Sequence, residues 1–354
     1  MRQLVSIQVV NAVEPIAGAD AIERVRVLGW WVVAKKGDYR PGDKVVYAEI
    51  DSLLPERPEF EFLRASSFRP ARVDPATGAV EQPAGFRIKT ARLRGQVSQG
   101  ICFPPAILPD GAPTDEGADV TDLLGVAKWE PPLPAGMGGR VKGAFPGFLP
   151  KTDETRVQLL EETLARHRGR TFHATEKLDG TSFTAFVFDG DYGLCSRNLW
   201  VDEGDESNVL VRVARGLDLE AKLRGLRDRL GVDVAIQGEV IGPGIQKNKY
   251  ALPGLALRVF NVLDVRERRL LDRDAMLDAL AMAGLEGVPQ LGPLVLDHSV
   301  DALVALAEGA SVLNPKVQRE GLVLRPAAEE HDATVGGRLS FKVINPKFLL
   351  KYDE

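Results

Sequence analysis

Cysteine and histidine are scarce in this chain of 354 residues, and their scarcity excludes two kinds of site. The two cysteines, Cys102 and Cys195, and the four histidines stand in no spacing that zinc ligands adopt. Neither a disulfide framework nor a zinc site is therefore expected, and both thiols should be buried. A G-x-x-x-x-G-K-[ST] motif is also absent, which excludes the P-loop class of nucleotide-binding proteins.

Long apolar segments and secretion signals are lacking too. No apolar run approaches the roughly 18 residues of a membrane-spanning helix. The first residues, MRQLVSIQVVNAVEP, lack the small-residue cleavage pattern of a signal peptide. We therefore expect a cytoplasmic protein without a membrane partner.

An excess of basic charge is missing as well, since the formal net charge is −5. Nucleic-acid binding depends on where charge lies rather than on its sum. Three segments contain basic residues but no acidic ones: residues 82–109, residues 333–351 and the stretch between Glu239 and Asp264. Each is either a solvated face or a contact with a nucleic-acid backbone.

Residues 1–125 are rich in short strand-like segments separated by turn residues. About five or six short strands in about a hundred residues are typical of a small barrel. We predict an OB-like barrel that binds nucleic acid, with residues 55–85 as a loop carrying a short helix or hairpin. Trp30 and Trp31 are expected to pack in the core and at its rim.

Residues 126–150 are rich in proline and glycine, which predicts a linker or an extended arm. Residues 151–354 mix strand-like and helix-like patterns, which predicts an α+β domain of antiparallel sheets and helices. Within it, residues 152–169 are expected to form a helix, because capping residues precede apolar residues that share one face. Further helices are expected near 217–230, 273–284 and 299–308.

The stretch ATEKLDGTSFTAF, residues 174–186, sets Lys177 two residues before Asp179 at an Asp-Gly turn. Asp-Gly between strand-like runs is a strong signal for a β-hairpin, because Gly tolerates positive φ and Asp bonds its own backbone. Taken alone, the stretch fits either a surface turn with a solvated lysine or a site that uses the lysine as a nucleophile.

Polar residues follow Lys177 in a fixed order at the ends of strand-like segments. They are Ser196-Arg197-Asn198, Gly238-Glu239, Phe260, Glu320-Gly321-Leu322-Val323-Leu324-Arg325 and Phe341-Lys342. In this order the chain resembles the nucleotidyltransferase domain that ATP-dependent polynucleotide ligases share with messenger-RNA capping enzymes, whose first motif is Lys-x-Asp-Gly. The resemblance implies an ATP-grasp-like ligase domain over 151–354, preceded by the OB-like barrel.

Details of the motifs distinguish branches of that superfamily. DNA ligases and capping enzymes typically continue as Lys-x-Asp-Gly-x-Arg, whereas this chain has Ser182. The closing FKVINPKF looks like that of nick-repairing RNA ligases, and RIKTARLRGQVSQGI is similar to the leading OB module of the Deinococcus-type RNA ligase. One departure is Ile344, where related ligases often carry a second lysine; Lys347 is a candidate replacement for that charge.

The resemblance implies that Lys177 attacks the α-phosphate of ATP to form a lysyl-AMP. AMP then moves to a 5′-phosphate end, and a 3′-hydroxyl displaces it. Free lysine has a pKa near 10.4, so burial and neighbouring cations such as Lys342 and a metal ion are expected to lower the pKa of Lys177. Mg²⁺ or Mn²⁺ is expected to neutralise phosphate charge, with Glu320 as its ligand.

Further roles follow from the same resemblance. The catalytic set comprises Lys177, Asp179, Glu320 and Lys342, while Glu239 bonds the ribose, Phe260 stacks on adenine, Arg197 contacts ribose or phosphate, Lys342 holds the α-phosphate and Glu176 helps to read adenine. Ordinary alternatives exist, such as core packing for Phe260, or an ion pair with Asp202 or Glu203 for Arg197.

The expected partner is nicked or broken RNA, with an RNA 3′-hydroxyl strand in a duplex. The predicted nucleic-acid contacts are Arg87, Lys89, Arg92, Arg94, Lys247 and Lys249. Two alternatives stay open at this point. One is a DNA ligase or guanylyltransferase of the same fold, and the other is a non-catalytic RNA-binding protein.

Overall fold

The backbone groups into two units, Met1–Pro132 with Leu349–Glu354, and Leu133–Phe348. The computed structural model describes residues 3–74, 78–132 and 139–352. In the parts of the chain that it describes, no helix is both long enough and apolar enough to cross a membrane. Both cysteines are buried free thiols, as expected.

The first unit is built from short strands. They are β1 (Val5–Pro15), β2 (Ile22–Val27), β3 (Trp30–Lys35), β4 (Lys44–Ala48), β5 (Ser52–Leu54), β6 (Phe68–Arg69), β7 (Arg72–Val73), β8 (Val80–Gln82), β9 (Gly85–Arg87), β10 (Ala91–Leu93), β11 (Gln96–Ser98), β12 (Ile101–Phe103) and β13 (Ala127–Lys128). The sheets run β12-β4-β1-β2-β3 and β13-β5-β9-β6, and β10 pairs with β11 in a separate hairpin. A bulge between Val10 and Ala12 lets β1 pair with β4 along one half and with β2 along the other.

Two local predictions for the first unit are confirmed. Residues 55–85 carry the short helix α1 (Arg64–Ser67) and the hairpin β7–β8. Trp30 is fully buried, whereas Trp31 is half-buried under the guanidinium of Arg24, 4.2 Å from the ring centre.

The second unit contains two larger sheets and most of the helices. Its strands are β14 (Val141–Ala144), β15 (Thr155–Arg156), β16 (Thr171–Lys177), β17 (Thr181–Phe188), β18 (Asp191–Cys195), β19 (Leu199–Val201), β20 (Val234–Ile241), β21 (Ala256–Asp264), β22 (Arg269–Leu270), β23 (Gln290–Val295), β24 (Gly321–Arg325), β25 (His331–Asp332), β26 (Gly337–Arg338) and β27 (Phe341–Ile344). Its helices are α2 (Glu161–Arg166), α3 (Val209–Gly216), α4 (Leu219–Leu230), α5 (Arg273–Ala283) and α6 (Val300–Ala307), and α7 (Pro346–Tyr352) follows β27.

Helices α4, α5 and α6 agree with the predicted ranges, but the predicted helix over 152–169 is wrong in its first half. Thr155 and Arg156 form β15, which pairs in parallel with β27, and only Glu161–Arg166 is α-helical. Pairing with β27 outweighs the local helical pattern, since propensity is a weak guide where tertiary contacts compete.

The predicted linker over 126–150 contributes strands to both units. Ala127–Lys128 pairs with β5, and Val141–Ala144 pairs with β19. Residues 133–138 of this segment lie outside the described residues. The boundaries at 125 and 150 stay predictions.

The second unit places its sheets as a seven-stranded layer, β14-β19-β18-β17-β20-β21-β22, and a five-stranded layer, β15-β27-β24-β16-β23. Pairing is antiparallel except between β15 and β27. One apolar core joins the seven-stranded sheet to α3, α4 and α5, and another joins the five-stranded sheet to α2 and α6.

The Asp-Gly turn after Lys177 does not close a hairpin, so that prediction is wrong. β16 belongs to the five-stranded sheet and β17 to the seven-stranded sheet, and the turn carries the chain from one to the other. Leu178 is buried within it, and Gly180 lies so close to β20 that a Cβ there would overlap the carbonyl oxygen of Val240. A hairpin signal describes the turn but not which sheet each flanking strand joins.

Gly180→Ala should therefore destabilise the protein by about 1–3 kcal/mol, as overpacking of a close contact does. Urea unfolding of the variant and the wild type would measure the difference. Gly143→Ala is the control, because a Cβ at Gly143 meets nothing within 4 Å and should change stability by less than about 0.5 kcal/mol. Equal losses in both variants would contradict the close approach at Gly180.

Candidate active site

Lys177 and Glu320 form the centre of the candidate site. Lys177 ends β16, and Glu320 directly precedes the neighbouring strand β24. The Lys177 Nζ donates hydrogen bonds to both carboxylate oxygens of Glu320, at 2.7 and 2.8 Å. The Glu320 side chain is 10% exposed and the Lys177 side chain 28%, so the pair is largely shielded from solvent.

A second carboxylate, Glu239, comes from the other sheet. Its Oε1 accepts a hydrogen bond from the N–H of Gly180 at 3.1 Å. Burial raises the pKa of Glu239 to about 8, although the charge of Lys177 counteracts part of that rise. The Glu320 and Asp179 carboxylates raise this pKa further, because each disfavours another negative charge nearby.

The pKa of Lys177 is raised, so the prediction of a lowered value is wrong for this arrangement. Burial by itself lowers the pKa of the ammonium, but the carboxylates of Glu320, Glu239 and Asp179 outweigh it. The sequence does not reveal that three acidic side chains surround one lysine. Glu320 is already hydrogen-bonded to the ammonium and is the nearest acceptor for its proton.

Asp179 is held by residues that follow β20. Its Oδ2 accepts a hydrogen bond from the Lys249 Nζ, and its backbone N–H donates to the hydroxyl oxygen of Tyr250 at 2.7 Å. The side chains of Lys249 and Asp179 are only 5% and 10% exposed. This placement argues against the predicted nucleic-acid contact for Lys249, whereas Lys247 is exposed.

The segment that carries Lys249, here called the 246–250 loop, has a strained backbone. Gln246, Lys247 and Asn248 have φ angles of 42°, 58° and 48°. A left-handed conformation costs a residue with a side chain roughly 1–2 kcal/mol, so tertiary contacts must hold the loop. One such contact is the hydrogen bond from the Gln246 Nε2 to the Gly180 carbonyl, at 3.4 Å.

Phe260 occupies a β-bulge in β21. Gln237 pairs with Asn261 and the next residue, Gly238, pairs with Val259, so Phe260 is the extra residue. A bulge re-aims a side chain and is common beside active sites. The half-buried ring packs against an apolar cluster that includes Leu178 and Tyr250, and its exposed part is compatible with a stacking surface.

Arg325, to which the sequence assigned no role, fixes the backbone at this bulge. Its NH1 donates to the Phe260 carbonyl at 2.8 Å and to the Asn261 Oδ1 at 3.0 Å. Its NH2 donates to Glu154 at 2.8 Å. Because Arg325 lies in β24 and Phe260 in β21, this guanidinium ties the two sheets together.

Lys342 lies in β27, directly opposite Arg156 of β15. Both side chains are half-buried, so two cations are neighbours at this edge of the five-stranded sheet. Sequence reasoning missed Arg156 because it fell inside a predicted helix. Ile344, farther along β27, is 3% exposed, and the candidate replacement Lys347 pairs with Glu308 at 2.5 Å.

Glu176 and Arg197 have other partners. Glu176 is 1% exposed, its Oε2 accepts a hydrogen bond from the Val312 N–H at 2.8 Å, and burial raises its pKa. Arg197 pairs with Asp153 at 2.7 Å rather than with Asp202 or Glu203. That exposed pair is weak and can yield to a phosphate.

The basic residues of the first unit differ in exposure. Arg87 is 9% exposed and its guanidinium lies 5.3 Å from the ring centre of Trp129, which favours packing within this unit over a phosphate contact. Lys89 is half-buried. Arg92 and Arg94 are exposed on the β10–β11 hairpin, where a nucleic-acid backbone can reach them.

The carboxylates of Glu320 and Glu239 fit a divalent ion whose remaining ligands are phosphate oxygens and waters. Among the residues that the structure describes, no group of three His, Cys, Asp or Glu side chains is assembled for a metal. Mg²⁺ usually takes only one or two carboxylates and keeps waters and substrate phosphates. Glu320 and Glu239 beside Lys177 supply that number.

Comparisons with known proteins agree with this geometry. A family model described as an OB-fold domain matches residues 4–105, and one described as RNA ligase matches residues 170–344. The fold and site are therefore those of a nucleotidyltransferase domain with an OB-fold domain before it, and the predicted fold class is confirmed. No curated protein matches the chain.

Solved structures of Naegleria gruberi RNA ligase are similar over almost the whole chain. The structure with PPi is 35% identical with a TM-score of 0.88, and covers 100% of this chain and 99% of that one. A mutant with AMP and Mn is 36% identical with a TM-score of 0.87, covering 99% of each chain. A mutant with ATP and Mn is 34% identical with a TM-score of 0.88 and full coverage of both. The chain belongs to the RNA ligase family.

Glu239→Gln should raise thermal stability, and increasingly so as pH rises. Because the pKa of Glu239 rises from 4.5 to about 8 on folding, the folded protein keeps a proton that the unfolded chain loses in this window. Stability of the wild type therefore falls with pH there, while the amide is unaffected. Melting temperatures at about pH 5 and about pH 8.5 would check this, with the exposed Glu162→Gln as control; a gain that shrinks with pH would contradict it.

Proposed function

We propose that this RNA ligase uses ATP and Mg²⁺ or Mn²⁺ to seal breaks between a 3′-hydroxyl and a 5′-phosphate, chiefly nicks in duplexes. The observation that carries the proposal is the Lys177–Glu320 pair beside Glu239, at the Lys-x-Asp-Gly turn of a chain that is similar throughout to a ligase solved with ATP and Mn. The finer likeness to the Deinococcus-type enzyme is part of the proposal.

In the first step Lys177 loses its proton and its Nζ attacks the α-phosphorus of ATP. A P–N bond forms, the P–O bond to pyrophosphate breaks, and lysyl-AMP results. The hydrogen-bonded Glu320 is placed to take the proton before attack. A divalent ion held by Glu320, with Glu239 near it, would neutralise phosphate charge.

In the second step a 5′-phosphate oxygen of the nucleic acid displaces Lys177 from AMP. In the third step the 3′-hydroxyl oxygen attacks that phosphate, forms the phosphodiester and releases AMP. The three displacements need the reacting atoms in line, and Lys177 at the end of β16, Glu239 in β20 and Glu320 just before β24 would position them.

Further side chains would bind the nucleotide. Phe260, aimed by its bulge, would stack on adenine, and Lys342 beside Arg156 would hold the α-phosphate. The proposed ribose and adenine contacts are completed by Glu239, Arg197 and Glu176. The exposed Arg92, Arg94 and Lys247, with Lys89, would contact the backbone of the nucleic acid.

The wild type should form an acid-labile, base-stable AMP adduct on Lys177, because a phosphoramidate hydrolyses in acid and a phosphate ester does not. Lys177→Ala should abolish labelling by radioactive ATP yet still seal a nick that already carries 5′-AMP, since the lysine has no further part as nucleophile. Denaturing electrophoresis and peptide mapping would measure both. Label on another residue would overturn the mechanism.

The strand that supplies the 3′-hydroxyl should need ribonucleotides at its end. The 2′-hydroxyl distinguishes RNA from DNA directly or through A-form geometry. A pucker that moves the attacking oxygen by about 1 Å costs about a hundredfold in rate. Single-turnover sealing of four nicked duplexes, with RNA or DNA on either side of the nick, would test this. Equally fast sealing of the all-DNA nick would favour a DNA-sealing activity instead.

A further inference from the structure

We infer that Lys249 is a positioning residue for adenylylation, which holds Asp179 and thereby the turn that presents Lys177. The inference rests on the proposed function, since it assigns a part in lysyl-AMP formation. It replaces the prediction that Lys249 contacts nucleic acid. Lys247, two residues earlier, keeps that predicted contact.

The contacts of Lys249 point inward. Its Nζ donates to the Asp179 Oδ2 and lies 4.7 Å from the ring centre of Phe348. Only 5% of the Lys249 side chain is exposed. An ammonium enclosed by a carboxylate and an aromatic ring has little surface left for a phosphate.

The neighbours of Lys249 form hydrogen bonds with the backbone of the same turn. The Tyr250 hydroxyl oxygen accepts a hydrogen bond from the Asp179 N–H at 2.7 Å, and the Gln246 Nε2 donates one to the Gly180 carbonyl at 3.4 Å. The 246–250 loop therefore bonds the turn at one side chain and two backbone groups. Its left-handed residues show that these contacts hold the loop in a conformation that the chain alone disfavours.

The Lys249–Asp179 ion pair also affects the charge around Lys177. Three carboxylates act on Lys177, and Lys249 pairs directly with one of them, Asp179. Glu320 is then the carboxylate that bonds the Lys177 amine. Loss of the Lys249 ammonium would remove this ion pair from the nearly buried Asp179, which would favour a shift of the turn.

The test is lysyl-AMP formation without any nucleic acid, measured in single turnover at saturating ATP. Lys249→Met should slow this step about 10- to 100-fold, because a shift of about 1 Å at the reacting atoms has an effect of that size. Lys316→Met, which removes an equal charge from an exposed side chain elsewhere in the second unit, should slow it far less. Lys249→Arg keeps a donor for Asp179 and should recover part of the rate.

Two further measurements separate positioning from other roles. The ATP concentration for half-maximal rate should stay near the wild-type value, because Lys249 contacts the turn rather than the nucleotide. Adding Asp179→Asn to Lys249→Met should recover the stability that Lys249→Met loses, as measured by thermal unfolding. It should not recover the rate of lysyl-AMP formation. If Lys249→Met is too unstable to assay, the comparison of Lys249→Arg with Lys316→Met decides.

Each alternative outcome is distinct. A wild-type rate in Lys249→Met together with weaker binding of a nicked duplex would make Lys249 a nucleic-acid contact and overturn the inference. A defect confined to the ATP concentration dependence would make it a nucleotide contact and overturn it as well. Absence of lysyl-AMP in the wild type would instead overturn the proposed function.

Discussion

The crossing of the chain from one sheet to the other at Leu178, Asp179 and Gly180 is the constraint on which the site depends. Lys177 is the last residue of β16 in the five-stranded sheet, and Glu239 lies in β20 of the seven-stranded sheet, beside the turn. Gly180 is required because β20 comes too close for a Cβ. A lysine placed at such a crossing meets groups from both sheets, and the 246–250 loop bonds the turn that follows it.

Gathering three carboxylates around one lysine opposes stability but suits the reaction. Burial and mutual repulsion raise the pKa of Glu239 to about 8, which means that folding works against its ionisation. The same carboxylates raise the pKa of Lys177, so its amine carries a proton in this arrangement. Active sites commonly carry such strain, which the packed apolar layers on α3, α4 and α5 offset.

The sequence was sufficient for the fold class and for singling out Lys177 and Glu320, which the structure brings together, because ordered motifs carry chemistry that packing alone does not require. It was insufficient wherever the outcome depended on which strands pair. The Asp-Gly turn looked like a hairpin, and 152–169 looked like one helix, because local patterns do not encode the partner strand. Charge runs did not distinguish packed from exposed residues: Arg87 packs against Trp129, while Arg92 and Arg94 face solvent.

Ile344 stands where related ligases often carry a second lysine, and the strand register shows where this residue lies relative to Lys177. Lys177 lies opposite Gly321, and Gly321 lies opposite Ile344, so the three residues form one row across β16, β24 and β27. Directly paired residues point to the same face of a sheet, and Gly321 contributes no side chain between the outer two. Ile344 is buried and therefore gives this end of the row an apolar side chain, where a lysine would add a positive charge.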